Sequence, residues 1–292
     1  MVLVSIVLVN WNGKSINDDC IDSLNAQSFK DFEIIFVDNA STDGSYEHVK
    51  KKYPGVKTFE TGANLGFAGG NNYGIKKANG EYIFLLNNDT VCDKDLLKNL
   101  VSERNNADIL GCKIYYYEPK DVIWSVASRV NKITAKASLV GRGEKDRGQY
   151  DKKRYVEQVV GCAILINKKI FEEIGYLNED YFMYYEETEW QTRARKAGFK
   201  TMYVPDAKLW HKVAFSSGGG VTPLSIYYLV RNRMYYIKNN WNLLLKPIAY
   251  CSAYIEAVAR VILYKIKRKD KLVEAVIRGI KDSHKGVIGN SY

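Results

Sequence analysis

Cysteine is scarce in this sequence of 292 residues, and its arrangement argues against two common uses. The five cysteines are scattered and odd in number: Cys20, Cys92, Cys112, Cys162 and Cys251. They show neither the short spacing of a zinc site nor the density of a disulfide-bonded secreted domain. We therefore expect a reduced, cytoplasmic protein whose thiols are mostly buried.

We expect neither a signal peptide nor a membrane-spanning helix. Residues 1–9 lack a basic leader and a small-residue cleavage site, so we interpret them as a first strand. The most apolar later stretch, residues 241–264, is interrupted by a proline and three charged residues. It falls short of the run of about 20 apolar residues that a spanning helix needs.

Positive charge is concentrated in the last quarter of the chain. Residues 224–292 contain 13 Lys and Arg against 4 Asp and Glu, a net charge of +9, whereas residues 1–223 contain 30 against 29, a net charge of +1. The length and the 46% hydrophobic content suit one large or two ordinary globular domains. We therefore separate a main domain, residues 1–223 (with halves 1–117 and 118–223), from a basic extension, residues 224–292.

Apolar runs alternate with helix-like segments through residues 1–117, which predicts an α/β fold with a parallel, doubly wound sheet. A polar residue follows each of four predicted strands: Asn10, Asp38, Asn64 and Asp89. Because the carboxyl ends of parallel strands share one edge, where such folds bind ligands, we expect these residues to converge on one site.

Residues 64–90 are the most informative stretch. Residues 64–72 are rich in Gly and Asn and predict a loop, in which glycines such as Gly66 allow positive φ and close approach of a ligand. A buried strand then ends at Asn87, Asn88 and Asp89, a carboxylate beside two amides that suits a divalent cation and its phosphates. The alternative is an Asn- and Asp-rich turn, and this stretch alone does not decide between them.

Two features of the second half have both a structural and a functional interpretation. Glu186, Glu187 and Glu189 lie at or before the start of a helix predicted over residues 188–196, where they either stabilise the helix dipole or supply a general base. His211 is a single histidine, a residue that is more often structural than a ligand. It precedes residues 216–220, a segment suited to a loop that closes over a ligand.

Several segments, in order, resemble the inverting GT-A glycosyltransferases of family 2, and most closely their rhamnosyltransferase-like branch in bacteria and archaea. The matching segments are residues 9–13, 37–45, 64–72, 85–90, 161–163 and 182–187, together with His211. The resemblance implies a GT-A fold, which is a Rossmann-like, mainly parallel sheet flanked by helices, followed here by a C-terminal helical extension. It also implies a nucleotide-diphosphate sugar, a divalent metal (Mn²⁺ or Mg²⁺) and an acceptor hydroxyl.

The resemblance also implies roles for single residues in donor and metal binding. Asp38 would pair with the nucleotide base, and Asp89 and His211 would hold the metal ion. The remaining donor-binding residues would be Asn10, Asn64, Gly66, Asn72, Asn87 and Asn88.

On the acceptor side, Glu187 takes the place of the family's catalytic base, with Glu186 and Glu189 as alternates. Gly161 would border the acceptor pocket, together with Cys162 and Trp190. The sequence departs from the family at Asn87, where the metal motif usually begins with Asp, and at Glu187, where Asp is more usual.

We therefore expect a metal-dependent inverting hexosyltransferase. Its donor would be a dTDP- or UDP-sugar, with rhamnose as one candidate, and its acceptor a glycan or lipid-linked hydroxyl in cell-surface polysaccharide or glycoconjugate synthesis. The two departures also permit a non-catalytic nucleotide-sugar-binding protein. A sugar nucleotidyltransferase is disfavoured because no Gly-rich, Lys- or Arg-bearing loop follows the first strand.

The basic extension interleaves aromatic, apolar and basic residues at helical spacing. This pattern suits an amphipathic segment lying on anionic lipid, which would place the protein on the inner face of the plasma membrane. The alternatives are a helical cap on the main domain and a homodimer interface. We expect no nucleic-acid partner, because no recognition motif accompanies the charge.

Overall fold

The structure, a computed structural model, describes residues 2–213 and 221–292. The segment predicted to close over a ligand, residues 216–220, lies outside the described residues, and its role stays a prediction.

The described residues form an α/β fold, as predicted. The strands are β1 (Val4–Asn10), β2 (Phe32–Asp38), β3 (Lys57–Glu60), β4 (Tyr82–Asn87), β5 (Thr90–Cys92), β6 (Ile109–Tyr116), β7 (Ile123–Ser125), β8 (Ala127–Val130), β9 (Ala137–Val140), β10 (Arg154–Tyr155), β11 (Ala163–Asn167) and β12 (Thr201–His211). The helices are α1 (Lys14–Asn25), α2 (Ser45–Lys52), α3 (Gly66–Lys77), α4 (Leu96–Ser102), α5 (Lys169–Ile174), α6 (Glu186–Lys196), α7 (Pro223–Asn240), α8 (Lys246–Ile266) and α9 (Asp270–Lys285), with a 3-10 turn at Glu179–Tyr181.

One ten-stranded sheet organises the molecule in the order β10-β12-β6-β11-β4-β1-β2-β3, with β5 paired to β12 and β7 to β6. β1 pairs in parallel with both β2 and β4. β11 runs antiparallel between β4 and β6. In this register Asn10 lies opposite Asp38, and Val9 lies opposite Asn87. The carboxyl ends of β1, β2 and β4 therefore meet at one edge, as the sequence predicts.

The sheet is buried on both faces because its central strands carry apolar residues at most positions. Along β1, Ile6 and Leu8 point into one apolar layer, which α1 covers, and Val7 points into the other. This alternation follows from the two-residue period of a strand. Only at their carboxyl ends do these strands change to Asn and Asp.

The predicted Gly/Asn loop over residues 64–72 is wrong from Gly66 onwards, because α3 begins there. A Cβ atom on Gly74 would lie 2.4 Å from Val7 Cγ1, and one on Gly70 would lie 2.7 Å from Val9 Cγ1. Glycine costs about 1 kcal/mol relative to alanine within a helix, but here it lets α3 pack directly on β1. These two glycines therefore serve helix–sheet packing and not the approach of a ligand.

Two element boundaries affect the site. β12 continues to His211, which brings this residue opposite Thr90 of β5. α6 begins at Glu186, so all three acids lie in its first turn. Pairing between strands and the tertiary fold set both boundaries, and neither is visible in the local sequence pattern.

The C-terminal extension folds as three helices, with α7 packed between the main domain and α9. The aromatic and basic residues of α7 are largely buried, including Tyr227, Tyr228, Arg231 and Arg233. α7 is therefore a cap on the main domain, and the predicted contact of residues 224–292 with lipid stays a prediction for the remainder of the extension. Within residues 2–213 and 221–292, no helix combines the length and apolarity needed to cross a bilayer.

Candidate active site

A buried hydrogen-bond network joins the polar ends of β1, β2 and β4. Asn10 Nδ2 donates to Asp38 Oδ1 at 2.8 Å. Asn10 Oδ1 accepts from Asn17 Nδ2 at 3.0 Å and from Asn88 Nδ2 at 2.9 Å. Asp38 Oδ2 accepts the backbone N–H of Ser41 at 2.8 Å, which orders the chain after β2. The structure thus brings together Asn10, Asp38 and Asn88, as the sequence predicts.

Asn17 and Trp11 also lie at this edge. Neither residue was predicted from the sequence to belong to the site. Asn17 is fully buried on the apolar face of α1, beside Ile16 and Cys20. An amide at such a position is itself a signal, since a buried polar group needs partners. Trp11 lies directly after β1 and is 51% exposed, so its ring is available to a ligand at the strand ends.

Asn64 has a more local task, at the start of α3. Its Oδ1 accepts the backbone N–H of Gly66 at 2.9 Å and the Nδ2 of Asn39 at 3.1 Å. Asn39 Nδ2 also donates to Gly66 O at 3.0 Å, and Gly66 has a φ of +71°. Asn64 therefore shapes the backbone beside the polar edge, and it is only half-buried.

Three predicted site residues are instead engaged within the fold. Asn72 Nδ2 donates to Leu177 O at 2.9 Å, and its Oδ1 accepts the N–H of Leu177 at 3.1 Å. Trp190 is almost fully buried and donates from Nε1 to Gly175 O at 2.9 Å. The side chain of Cys162 is part of the apolar core. We leave these three side chains out of the site proposed below.

Asp89 and His211 form a candidate metal site at the same edge. Their Oδ1 and Nε2 atoms are 3.0 Å apart, and both residues are 6% exposed. The pairing of β5 with β12 holds them together, since His211 lies opposite Thr90 and Lys212 N donates to Asp89 O at 2.8 Å.

The unpaired polar atoms of this pair fit a divalent cation. Asp89 Oδ1 and His211 Nδ1 have no hydrogen-bond partner among the described residues, so the 3.0 Å approach is not a hydrogen bond. Carboxylate and imidazole are common ligands of such ions. Within the described ranges no cluster of three or more metal-ligating side chains exists, so a bound ion would take its other ligands from substrate and water.

Glu186 and Glu187 form a buried acidic pair at the start of α6. The Oε2 atom of each lacks a hydrogen-bond partner among the described residues. Burial raises the pKa of both carboxyls above the ordinary value of 4.5, and the charge of Glu187 further raises that of Glu186. A Cβ atom on Gly161 would lie 2.9 Å from Glu187 Cγ, so this glycine leaves the space that Glu187 occupies.

Glu189 is less suited to act as a base than its two neighbours. It forms a two-pronged ion pair with Arg193, from Nε at 2.7 Å and from Nη2 at 3.0 Å. A carboxylate held in this way has both oxygens occupied. The structure therefore narrows the choice to Glu186 and Glu187, of which Glu187 contacts Gly161.

The metal site and the acidic pair adjoin each other, because Asn87 N donates to Cys162 O at 2.9 Å and the neighbouring Gly161 borders Glu187. Burial raises the pKa of Tyr184, and the charges of Glu186, Glu187 and Asp89 raise it further. Its side chain is nonetheless partly exposed. Tyr184 follows other aromatic residues in the sequence, and only its position in the fold distinguishes it from them.

The loop that carries Tyr184 has a strained backbone. Phe182, Tyr184 and Tyr185 have φ values of +64°, +67° and +76°. Such conformations cost of order 1–3 kcal/mol for a residue with a side chain, so they persist only where neighbouring groups enforce them. This loop leads directly into Glu186.

Asn232 and Arg231 of α7 hold this loop in place. Asn232 Nδ2 lies within hydrogen-bond distance of the carbonyl oxygens of Tyr181 (2.8 Å), Met183 (2.8 Å) and Tyr184 (2.7 Å). Arg231 Nη2 donates to Tyr181 O at 3.0 Å. Neither residue was predicted from the sequence, because polar residues on a basic helix are typical of a solvent-exposed face.

Comparison with known proteins connects the chain with one family. Residues 5–175 match the family model described as Glycosyl transferase family 2. The low-salt glycan biosynthesis hexosyltransferase Agl10 of Haloferax volcanii is 28% identical over 199 residues, which are 66% of this chain and 62% of that protein. An N-acetylglucosaminyl-diphospho-decaprenol L-rhamnosyltransferase of Mycobacterium tuberculosis is 24% identical over 241 residues, which are 74% of this chain and 78% of that protein.

A solved structure shares the fold. The mannosyltransferase PcManGT from Pyrobaculum calidifontis, in complex with GDP-Man and Mn²⁺, superposes with a TM-score of 0.60 at 15% identity, covering 96% of this chain and 86% of that one. At this identity the likeness concerns the fold alone. The predicted GT-A fold with C-terminal helices is confirmed.

The buried acidic pair predicts an unusual dependence of stability on pH. Because burial raises the pKa of Glu186, the native state keeps a proton that the unfolded chain releases, and the free energy of unfolding falls as pH rises above about 4.5. The Gln side chain of Glu186→Gln cannot ionise, so the free energy of unfolding of this variant relative to wild type should increase between pH 4 and pH 8. The increase should be about 1.4 kcal/mol for each pH unit between the unfolded-state and the folded-state pKa of Glu186. Urea unfolding at several pH values measures this difference.

Glu189→Gln is the matched control for that experiment. It loses the ion pair with Arg193 and should be less stable than wild type at pH 8. If the difference in free energy of unfolding between Glu186→Gln and wild type is the same at pH 4 and pH 8, the burial of an ionisable pair is contradicted.

The contacts of Asn232 predict a local effect of Asn232→Asp. The carboxylate would face three carbonyl oxygens and donate to none, so unfolding should become easier by about 1–3 kcal/mol. Hydrogen exchange of the backbone amides of residues 181–187 should accelerate more than elsewhere. Asn239→Asp, at an exposed position on the same helix, should leave this exchange unchanged. Equal exchange in both variants would show that Asn232 does not hold the loop.

Proposed function

Because the chain belongs to glycosyl transferase family 2, we propose that it is a metal-dependent inverting hexosyltransferase. It would move a sugar from a nucleotide-diphosphate donor to an acceptor hydroxyl. The observation that supports this proposal is that the Asp89–His211 pair adjoins the Glu186–Glu187 pair, through the Asn87–Cys162 hydrogen bond and the contact of Gly161 with Glu187. A leaving diphosphate needs positive charge and an attacking hydroxyl needs a base, and the cleft offers groups suited to both.

The donor nucleotide would occupy the polar edge of the sheet. Asn10, Asp38 and Asn88 order this edge, and the exposed ring of Trp11 offers a face on which a base can stack. We propose dTDP or UDP as the nucleotide. Rhamnose is a candidate sugar, supported by the name of the mycobacterial relative.

Asp89 and His211 would hold Mn²⁺ or Mg²⁺ against the diphosphate, where the ion, as a Lewis acid, neutralises the charge of the leaving group. Asn87 is two residues before Asp89, at the end of β4, and its side chain forms no hydrogen bond within the described ranges, so it would be available to contact the same phosphates. The Asn at this position therefore still suits donor binding.

Glu187 would act as the base. It would accept the proton of the acceptor hydroxyl while the oxygen attacks the anomeric carbon and the diphosphate leaves from the opposite face, which inverts the configuration. Glu186 is the more deeply buried acid, and its pKa is raised by the charge of Glu187 as well as by burial, so we assign the role of base to Glu187. A buried carboxylate with a raised pKa is also a stronger base near neutral pH.

The acceptor would enter beside Gly161, which borders Glu187. We propose a glycan or lipid-linked acceptor used in cell-surface polysaccharide or glycoconjugate synthesis, at the cytoplasmic side of the membrane. The printed name of the mycobacterial relative, which includes a diphospho-decaprenol, supports a lipid-linked acceptor.

The proposed donor site predicts selective thermal stabilisation. A ligand that binds the native state raises the melting temperature as its concentration exceeds Kd. With Mn²⁺ present, dTDP or UDP should raise it more than GDP, CMP or ADP do. Asp89→Asn should lose the metal-dependent part of the shift, whereas Asp206→Asn, at an exposed position of β12, should keep it. No shift with any nucleotide would argue against the donor site.

The proposed base predicts a specific defect in Glu187→Gln. Transfer of labelled sugar to lipid and glycan fractions should fall by roughly 10²–10⁴-fold, because general-base catalysis contributes about this much. The thermal shift with nucleotide should persist, since the donor site is intact. Glu189→Gln is the control and should retain transfer. If Glu187→Gln transfers sugar at the wild-type rate, Glu187 is not the base.

A further inference from the structure

An apolar stripe runs along the outer face of α8. Its members recur at spacings of three, four or seven residues and are between 50% and 85% exposed: Leu244, Ile248, Ile255, Val258, Ile262 and Ile266. We call these six residues the α8 stripe. Scattered exposed apolar side chains need no explanation, but a continuous row along one helix indicates an interaction surface.

The opposite face of α8 packs against the protein, so the stripe faces outwards. Ala249, Ala253 and Ala257 are buried and pack in the apolar clusters that α8 forms with α7 and its neighbours. Since α8 has 21 residues, the stripe extends along a helix of about 30 Å. It is a ridge on the surface of the molecule and not a groove for a peptide.

Positive charge adjoins the stripe at its C-terminal end. The end of α8, the connection and the start of α9 carry five exposed cations, Lys265, Lys267, Arg268, Lys269 and Lys271, with Asp270 as the acid among them. Within the described ranges none of these five cations forms an ion pair. The surface therefore offers both apolar side chains and uncompensated positive charge.

We propose that the α8 stripe and these five cations form a docking surface for an anionic lipid bilayer. A helix with an apolar face and adjacent Lys and Arg residues lies in the plane of the membrane interface, with its apolar side chains among the acyl chains and its cations near anionic headgroups. No helix in the described ranges meets the requirements of a spanning segment, so the attachment is peripheral.

Charge favours a bilayer over a second copy of the chain. Another copy would present the same apolar ridge and the same five cations, against which Asp270 is the one acid among them. Anionic headgroups supply the missing negative charge across the whole surface. The five cations therefore fit a bilayer and disfavour self-association.

The docking surface is linked to the active site by direct packing. α8 packs on α7, and Asn232 of α7 holds the loop before Glu186 and Glu187. A bilayer bound to α8 would thus have a fixed orientation relative to the cleft. The use of this surface for a lipid-linked acceptor rests on the proposed function, whereas lipid binding itself does not.

The test is co-sedimentation of the full chain with lipid vesicles, without nucleotide or acceptor. The wild type should bind vesicles of phosphatidylcholine mixed with phosphatidylglycerol and bind pure phosphatidylcholine at least tenfold more weakly. The double variant Ile255→Glu/Ile262→Glu should lose at least about 90% of binding. Lys267→Gln/Lys269→Gln/Lys271→Gln should weaken it by about 100-fold, roughly fivefold per charge. Tyr155→Glu, an exposed aromatic residue (58%) on the edge strand β10, is the control and should bind normally.

Light scattering on the same proteins separates the alternatives. The proposal would be overturned in favour of a homodimer interface if three results were found together. The wild type would be dimeric, it would not bind vesicles, and the Ile255→Glu/Ile262→Glu variant would be monomeric. Equal binding by wild type and this variant would also overturn it. Because the experiment involves no sugar transfer, loss of lipid binding and failure of the proposed transferase activity are distinguishable.

Discussion

The hydrogen bonds of Asn232 are the constraint on which the arrangement of the cleft depends. They hold a loop in which Phe182, Tyr184 and Tyr185 adopt left-handed backbone conformations. The same loop accepts hydrogen bonds from α3, since the backbone N–H of Phe67 donates to Phe182 O at 2.7 Å. One short segment thereby joins α3, α6 and α7. The C-terminal extension is thus a structural support of the candidate active site.

The cleft also concentrates the polar atoms that the fold does not satisfy. Of seven buried side-chain atoms without a partner among the described residues, four belong to Asp89, His211, Glu186 and Glu187. Each such atom costs about 1–3 kcal/mol if it stays unpaired. If these groups served stability, the fold would provide hydrogen-bond partners for them. Their clustering without such partners is what a binding site for an ion and a polar substrate requires. The buried network around Asn10, by contrast, is fully paired and holds the polar ends of β1, β2 and β4 together.

Much of the fold and part of the site follow from local sequence patterns. The apolar runs that become β1, β2 and β4 are long and uninterrupted, and the change to Asn and Asp at their ends marks the edge where Asn10, Asp38 and Asp89 meet. Local patterns failed at Gly70 and Gly74, because glycine suits both a loop and a helix packed tightly on a strand. The deciding contacts, with Val7 and Val9, come from a distant segment. Local patterns also failed to identify Asn17, Arg231 and Asn232 as site residues, because these residues contact groups that are distant in sequence.

The sequence by itself determined the fold class, the family and the residue types of the chemistry, because these depend on short periodic patterns and on motifs within single segments. Only the tertiary structure decided how those residues are used. It separated Glu186 and Glu187 from the ion-paired Glu189, and it placed His211 beside Asp89 through the pairing of β12 with β5. It also buried α7 and exposed one face of α8. The physical reason is that burial, pairing and pKa depend on neighbours distant in sequence, which no local pattern contains.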